Sequence, residues 1–372
     1  MDNTIKDQFR ATILGQCVGD AIGLLTEFLT KDEAKKYYGS KPKTLEYSQK
    51  VPDFHRSRWS EGDWTDDSDH MILILQSLLY CKGQVNVCDF AFRIKRWMKN
   101  GFPELGDLGG MGIGATTHAI LNHPNFILEP QKIANECWER SQRNIAPNGA
   151  VMRTSILGLH QWEDLEAVRK NAIEISKTTH ADPRCRASCV AVSCAIALML
   201  RHTQTNLSRN KPVALNVEDI VQEAYNQACL VLEKVEQKTE LHFYMNCRKL
   251  KKLQLSEHGK IGYTYKCLGS GFWALRQENF QKAIIKLVME GGDADTNAAV
   301  AGAMLGCKLG LTAMPESWVT GLKHKDWLVG YIDRFLKLQE EMKLPLDERT
   351  SHDDLDCKVL EDSDKRRKEK QL

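Results

Sequence analysis

Two rows of small residues at intervals of four constrain the fold more than any other feature of this chain. The first row is Ala11, Gly15, Gly19 and Gly23, and the second is Ala298, Gly302, Gly306 and Gly310. Residues four apart form the ridges along which helices pack, and small side chains there allow two backbones to approach closely. Glycine inside a helix costs about 1 kcal/mol relative to alanine, so its repetition indicates a packing requirement. We therefore predict two central helices, each packed against a close neighbour, which could be the other of the two.

Helical periodicity dominates the rest of the chain, and strand-like alternation is scarce, so we predict an all-α fold. The predicted helices are 8–25, 67–82, 88–99, 131–143, 163–178, 184–201, 217–236, 267–276, 279–290, 296–309 and 325–342. Loops are predicted over 38–63, 101–114 and 202–216. The apolar run Cys189–Leu200 is shorter than the ~20 residues of a membrane span, which indicates a buried core helix.

Charge and length set limits on the partners and on the domain organisation. The 372 residues include 51 basic and 49 acidic side chains, so bulk charge predicts neither membrane attachment nor direct nucleic-acid binding. The N-terminus is polar and the twelve cysteines lack Cys-x-x-Cys spacing, which favours reduced thiols in the cytoplasm, with the nucleus also open. We predict one domain over 1–344 and a charged, disordered tail over 345–372.

Two acidic clusters precede helical segments near opposite ends of the chain. Their sequences are Trp64-Thr65-Asp66-Asp67-Ser68-Asp69 and Gly291-Gly292-Asp293-Ala294-Asp295-Thr296. One aspartate at a helix N-terminus is ordinary capping, but several in one turn repel one another unless a cation neutralises them. Hard cations such as Mg²⁺, Mn²⁺ and Ca²⁺ prefer these oxygen ligands. Asp69 either joins such a metal shell or faces solvent.

Glycine-rich turns between the two clusters could hold a phosphate-bearing ligand. Gly112 and Gly114 precede a helical start at Ala115, and Asn148-Gly149 precedes a second one. Backbone N–H groups at such turns bind phosphate oxygens, but flexible surface loops explain the composition equally well. His180 is either a capping or core histidine or a ligand contact. Glu27 is either solvated or an acid or base at a cleft.

The motifs together resemble the ADP-ribosylglycohydrolases, the family of dinitrogenase-reductase-activating glycohydrolases and ADP-ribosyl-acceptor hydrolases. The resemblance covers roughly residues 8–340. The motifs that carry it are Gly19-Asp20-Ala21-Ile22-Gly23 with Glu27, Trp64–Met71, Gly112–Thr117, Asn148–Arg153, Thr179–Cys185 and Gly291–Thr296.

The resemblance implies an all-α orthogonal multi-helix bundle with a binuclear Mg²⁺ centre in a cleft, Mn²⁺ being possible. Six residues match the family's metal-ligand positions: Thr65, Asp66, Asp67, Asp293, Asp295 and Thr296. Glu27 matches a mobile acidic residue that acts as acid or base, with Asp67 as the other candidate base. Five residues fall in segments that hold ADP-ribose: Gly112, Gly114, Asn148, Gly149 and His180.

The resemblance further implies hydrolysis of the bond between C1″ of the distal ribose and an acceptor side chain, usually arginine or serine. Ile145-Ala146-Pro147 lacks the serine and tyrosine of serine-selective members, which leans slightly towards arginine. Two alternatives stay open. The substrate could be a small ADP-ribose conjugate rather than an ADP-ribosylated protein, or the chain could be a non-catalytic, crystallin-like member. Retention of every expected carboxylate argues against the last.

Overall fold

The computed structural model describes residues 1–350. Within them the chain forms sixteen α-helices and no strand, and Pro147 and Tyr263 form an isolated antiparallel bridge. The helices are α1 Asn3–Gly23, α2 Lys31–Tyr38, α3 Asp66–Tyr80, α4 Val87–Asn100, α5 Ala115–Leu121, α6 Pro130–Arg140, α7 Ser155–Leu159, α8 Leu165–Lys177, α9 Pro183–Leu207, α10 Val217–Cys229, α11 Val235–Met245, α12 Thr264–Leu275, α13 Phe280–Val288, α14 Ala294–Leu309, α15 Glu316–Thr320 and α16 Lys325–Glu341. The predicted all-α fold is confirmed.

The two glycine rows pack against each other along helices α1 and α14. A Cβ placed on Gly19 would lie 2.0 Å from the carbonyl oxygen of Ala298, and one on Gly302 would lie 2.0 Å from that of Gly15. A Cβ on Gly23 would lie 2.4 Å from the Cα of Asp295. The helices therefore meet backbone to backbone, and this seam carries the C-terminal end of α1 to the N-terminal end of α14.

Gly310, the last member of the second row, is not part of the seam. Helix α14 ends at Leu309, and Gly310 follows it with a φ of +80°. A left-handed residue after the last turn is the usual place for glycine, since it has no Cβ to clash. The spacing of four continues to Gly310, but there glycine ends helix α14 instead of allowing two helices to pack closely.

Helix α9 confirms the predicted core helix and corrects one predicted loop. Its residues from Cys189 to Ala197 are buried, and the helix packs against α7, α8, α10 and α12. Within residues 1–350 it is the one helix long and apolar enough to cross a membrane, and 78% of its most apolar segment is buried inside the protein. The predicted loop at 202–216 was wrong at its start, because α9 continues to Leu207.

Short and polar helices were the ones that the sequence did not reveal. The predicted segment 217–236 is two elements, because α10 ends at Cys229 and α11 begins at Val235. Helix α2 was not predicted; it ends at Tyr38, where the predicted loop 38–63 begins. Its single buried side chain is Ala34, so its sequence has no apolar stripe that would indicate a helix. The predicted disorder of the tail falls largely on residues 351–372, which lie outside the described residues.

Candidate metal centre

Asp20 of helix α1 holds the start of helix α3. Its Oδ1 accepts hydrogen bonds from the backbone N–H and the hydroxyl of Thr65, at 3.0 and 2.9 Å. Its Oδ2 accepts from the backbone N–H and the hydroxyl of Ser68, at 3.0 and 2.7 Å. A carboxylate has about four lone-pair sites, so these four bonds saturate it. We therefore regard Asp20 as the residue that anchors the first acidic cluster, rather than as a metal ligand.

Three buried carboxylates form what we call the inner group: Asp20, Asp67 and Asp295. One oxygen from each lies within 4.8 Å of the others. The hydroxyl of Thr296 donates to Asp67 Oδ1 at 2.9 Å. The hydroxyl of Thr65 lies 3.3 Å from Asp67 Oδ2 and 3.5 Å from Asp295 Oδ2. The two acidic clusters of the sequence therefore meet, as the glycine rows suggested.

A second set of carboxylates, the outer group, consists of Glu27, Asp293 and Asp295. One oxygen from each again lies within 4.8 Å of the others, so Asp295 belongs to both groups. The side-chain amide of Asn148 donates to Asp293 Oδ2 at 2.8 Å. Asp295 Oδ1 is buried and has no hydrogen-bond partner within the described residues. An unpartnered buried carboxylate oxygen among oxygen-only donors suits a hard divalent cation, so these residues fit a metal centre.

Burial changes the acidity of the cluster. It raises the pKa of Asp66, Asp67 and Asp295 well above the usual range, and the charges of neighbouring carboxylates raise it further. Burial also raises the pKa of Asp20 to about 7, although its hydrogen bonds to Ser68 and Thr65 oppose this. Without a cation, the cluster therefore retains protons near neutral pH.

Asp66 lies apart from the other predicted ligands. It belongs to neither three-carboxylate group, although the charges of Asp20, Glu27 and Asp293 all raise its pKa. Gly112 packs onto it: a Cβ on Gly112 would lie 2.2 Å from Asp66 Oδ1, and the φ of Gly112 is +95°. The glycine-rich turn 101–114 therefore reaches the acidic cluster. Asp69 accepts from the indole N–H groups of Trp64 and Trp97, at 2.8 and 3.0 Å, and so neither of its two predicted roles describes it.

Glu27 is held on a short loop that contacts the Gly291-Gly292 pair. His55 Nε2 lies 2.5 Å from Glu27 Oε2, and the guanidinium of Arg58 donates to His55 Nδ1 at 2.7 Å. Because arginine can only donate, Nδ1 must accept, which leaves the ring proton on Nε2 facing Glu27. Burial raises the pKa of Glu27, while the hydrogen bond from His55 lowers it.

The loop also depends on backbone approach. The N–H of Phe28 donates to the carbonyl of Gly292 at 2.6 Å, and the N–H of Gly292 donates to that of Leu29 at 2.8 Å. Gly291 and Gly292 have φ values of +69° and +75°, and a Cβ on Gly291 would lie 2.2 Å from the carbonyl oxygen of Leu29. The two backbones therefore approach closely at the glycine pair.

Three of the residues predicted to bind ligand lie together beside the outer group. Asn148 contacts Asp293, and the next residue, Gly149, faces His180: a Cβ on Gly149 would lie 3.1 Å from His180 Nε2. Gly114 is the N-cap of α5, and nothing lies within 4 Å of a Cβ placed on it. The structure thus joins Asn148, Gly149 and His180, whereas Gly114 has open space around it.

Two residues of the site, Asp20 and His55, had no predicted role in it, although Asp20 stands in one of the motifs of the family. Asp20 carried a signal, because it follows Gly19 in the first glycine row and so had to lie near the second acidic cluster. Nothing in the sequence pointed to His55, since it lies in a loop of mixed charge without helical or strand periodicity. Its place beside Glu27 follows from tertiary packing against Phe28 and Trp59, with ring centroids 4.7 and 5.2 Å away.

Comparison with known proteins agrees with this geometry. A profile of the family described as ADP-ribosylglycohydrolase matches residues 1–345. The chain is 23% identical over 348 residues to the ADP-ribosyl-[dinitrogen reductase] glycohydrolase of Rhodospirillum rubrum, covering 92% of this chain and 97% of that protein. It is 22% identical over 339 residues to the ADP-ribosylarginine hydrolase Tri1 of Serratia proteamaculans (strain 568), covering 90% of this chain and 80% of that protein.

A solved structure named ADP-ribosylglycohydrolase-related protein complex superposes with a TM-score of 0.62 at 22% identity, covering 91% of this chain and all of that one. The all-α fold of this chain is thus shared with that structure. The chain belongs to the ADP-ribosylglycohydrolase family. The family assignment supports a glycohydrolase enzyme, and the buried acidic groups could hold metal.

Proposed function

We propose that this protein is a divalent-metal-dependent hydrolase that removes ADP-ribose from an acceptor side chain, with arginine as the preferred acceptor. The observation that carries the proposal is Asp295. It is shared by the inner and outer groups, and its buried Oδ1 has no partner within the described residues. A buried carboxylate without a partner is costly, and a ligand cation would remove that cost.

We assign two Mg²⁺ ions to the centre, with Mn²⁺ as the substitute. The residues that would hold them are Asp67, Asp295 and Asp293, with Asp66 and the hydroxyls of Thr65 and Thr296. Bound divalent cations orient ribose hydroxyls and water and stabilise negative charge. The hydrogen bonds of Asp20 hold the α3 end of this set in place.

Glu27 is the residue that we assign to proton transfer. Hydrolysis forms a bond between a water oxygen and C1″, breaks the bond from C1″ to the acceptor nitrogen, and leaves the water proton on that nitrogen. Glu27 belongs to the outer group alone, and His55 holds its Oε2, so we assign it to take this proton and deliver it. Asp67 is a less suitable base because Thr296 and the inner group enclose it. Nearby carboxylates also stabilise the positive charge that develops at C1″.

We assign binding of the remaining parts of ADP-ribose to the residues beside the outer group. Asn148, Gly149 and His180 form one continuous surface, and Gly112 covers Asp66 on the opposite acidic cluster. We assign these residues, with Gly114, to ADP-ribose contact. The arginine preference rests on the Serratia relative, which is named an ADP-ribosylarginine hydrolase and is 22% identical, and on Ile145-Ala146-Pro147.

The test is release of ADP-ribose from four peptides, ADP-ribosylated on arginine, serine, cysteine or glutamate, in Mg²⁺ and in chelator. We expect Mg²⁺-dependent release from the arginine peptide fastest. Release from serine alone would contradict the acceptor assignment. A fifth substrate, an ADP-ribosylated small guanidine, distinguishes a small-conjugate hydrolase, which would cleave it much faster than any peptide. No release from any of the five would support the non-catalytic alternative.

A further inference from the structure

Arg153 is a buried cation that the proposed chemistry does not use. It lies on the turn before α7, is fully buried, and forms no ion pair within residues 1–350. Its guanidinium stands over the ring of Phe90, with 5.0 Å from Cζ to the centroid. Its Nη2 donates to the hydroxyl of Thr179 at 2.7 Å, while Nε and Nη1 have no partner among the described residues. A cation buried at this cost calls for an explanation beyond packing.

Arg153 determines the direction of a short hydrogen-bond chain. Arginine only donates, so the Thr179 oxygen accepts from it. The Thr179 hydroxyl also lies 2.7 Å from His180 Nδ1. Within residues 1–350 these are its two partners, so its proton has an acceptor only if Nδ1 carries none. The opposite direction would leave a buried hydroxyl proton unpaired, which is unfavourable.

The chain of donors ends at His180 Nε2, which therefore carries the ring proton. His180 is 3% exposed, and Nε2 has no partner in the described part of the chain. The space beside it is the position that a Cβ on Gly149 would take, 3.1 Å from Nε2 and 3.3 Å from the hydroxyl of Thr117. Burial lowers the pKa of His180 to about 3, so the ring is neutral near neutral pH and its tautomer decides whether it donates or accepts.

We propose that Arg153 and Thr179 are positioning residues that fix His180 in its Nε2–H tautomer, so that the ring donates a hydrogen bond to an oxygen of bound ADP-ribose. The inference rests on the proposed function for the identity of the ligand. The tautomer itself follows from Arg153, Thr179 and His180 alone. His55 beside Glu27 follows the same principle without a relay, because its Nδ1 accepts directly from Arg58.

The test combines a spectroscopic measurement with a binding measurement. Nitrogen NMR of ¹⁵N-histidine-labelled protein reports which ring nitrogen is protonated, and His180→Gln identifies the His180 signals by their loss. In the wild type we expect the proton on Nε2. A proton on Nδ1 in the wild type would overturn the inference without any variant.

Thr179→Val removes the hydroxyl at nearly constant shape, and Thr179→Ser is the matched control that keeps it. We expect Thr179→Val to lose the fixed tautomer and to weaken the calorimetric Kd for ADP-ribose about tenfold, equivalent to 1.4 kcal/mol. Thr179→Ser should restore both. An unchanged tautomer and Kd in Thr179→Val would overturn the relay.

The binding arm separates this inference from the proposed function. If the wild type has the Nε2 proton but does not bind ADP-ribose in Mg²⁺, the proposed function fails and the ligand half of the inference fails with it. If the wild type binds ADP-ribose and Thr179→Val binds equally well, the proposed function stands and the relay alone is refuted.

Discussion

The inner and outer carboxylate groups share Asp295 but are held by different kinds of structure. The inner group is fixed by helices, through four hydrogen bonds from the start of α3 to Asp20 and through the α1–α14 seam. The outer group is held by loops, through the contacts of His55 with Glu27 and of Asn148 with Asp293 and through the backbone bonds at Gly292. We therefore expect the inner group to be preorganised before substrate binds and the outer group to adjust when substrate binds.

The largest effect is expected where the two groups overlap. Asp295→Asn removes one charge from both, and we expect turnover to fall by at least about 10³-fold, because a bound metal supplies several kcal/mol and each 1.36 kcal/mol is tenfold in rate. The metal-free fold should be kept, since repulsion among buried carboxylates decreases. Steady-state kinetics in saturating Mg²⁺ and a thermal melt in chelator measure the two quantities.

Asp32→Asn is the control for that variant, because Asp32 is an exposed aspartate in the first turn of α2 with a surface ion pair to Lys35. Its turnover should match the wild type. Undiminished turnover in Asp295→Asn would remove the metal centre from the mechanism.

Glu27→Gln tests the outer group alone. General acid or base catalysis contributes roughly 10²–10⁴-fold, so we expect kcat to fall by about 10²–10³-fold with a much smaller change in the Kd for ADP-ribose. Glutamine keeps an oxygen that can accept from His55, which preserves the loop contact. Equal losses in kcat and affinity would instead assign Glu27 to substrate binding, and the distinction between the groups would have to be redrawn.

Gly19→Ala tests how the inner group is fixed. Its Cβ would overlap the carbonyl of Ala298, so we expect the free energy of unfolding to fall by about 1–3 kcal/mol or more, with a matching loss of Mg²⁺ affinity because Asp20 is the next residue. Gly330→Ala in α16 is the matched control, since nothing lies within 4 Å of its Cβ, and it should gain about 0.5–1 kcal/mol. Denaturant unfolding of both variants checks the pair, and similar stabilities would refute a tight seam.

Metal binding should depend on pH in a direction set by the buried carboxyls. Burial raises the pKa of Asp20 to about 7 and that of Asp67 and Asp295 well above the usual range. The pKa of such a carboxyl is near 4 in the unfolded protein and higher in the folded protein. Its contribution to stability is fully present at a pH below the unfolded pKa and is lost as the pH rises through the folded pKa. The metal-free protein therefore loses the contribution of Asp20 between about pH 4 and 7, and those of Asp67 and Asp295 as the pH rises further.

The stabilisation by Mg²⁺ should grow over the same interval, because the ion then replaces fewer protons. At 100 times its Kd the ion contributes about 2.7 kcal/mol. The difference in Tm with and without Mg²⁺ is the measurement, since contributions from buried histidines away from the carboxylates cancel in it. A difference that shrinks with rising pH would contradict the assignment of Asp67 and Asp295 to the metal.

The sequence predicted the parts of this site that depend on repeated local pattern. The glycine rows indicated two central helices, and the crowded aspartates indicated two helix N-termini, and both features follow from short-range sterics and charge. The contact between Thr296 and Asp67, 229 residues apart, could be predicted only because each glycine row requires a closely packed helix against it. His55 and Asn148 act on Glu27 and Asp293 through loops, whose paths no periodicity records. The same reason explains why helix α2 and the break between α10 and α11 were missed.

The seam also has a consequence for biosynthesis. It joins α1 to α14, so the ribosome must add helices α2 to α13 before Gly15 and Gly19 can meet Gly302 and Ala298. Domains generally acquire long-range contacts late, after the entropy of closing the intervening chain has been overcome. A nascent chain that stops before α14 lacks Asp293, Asp295 and Thr296 and leaves the glycine face of α1 uncovered. Hydrolytic activity would then arise in a single late step of synthesis, and incomplete translation products would be inactive.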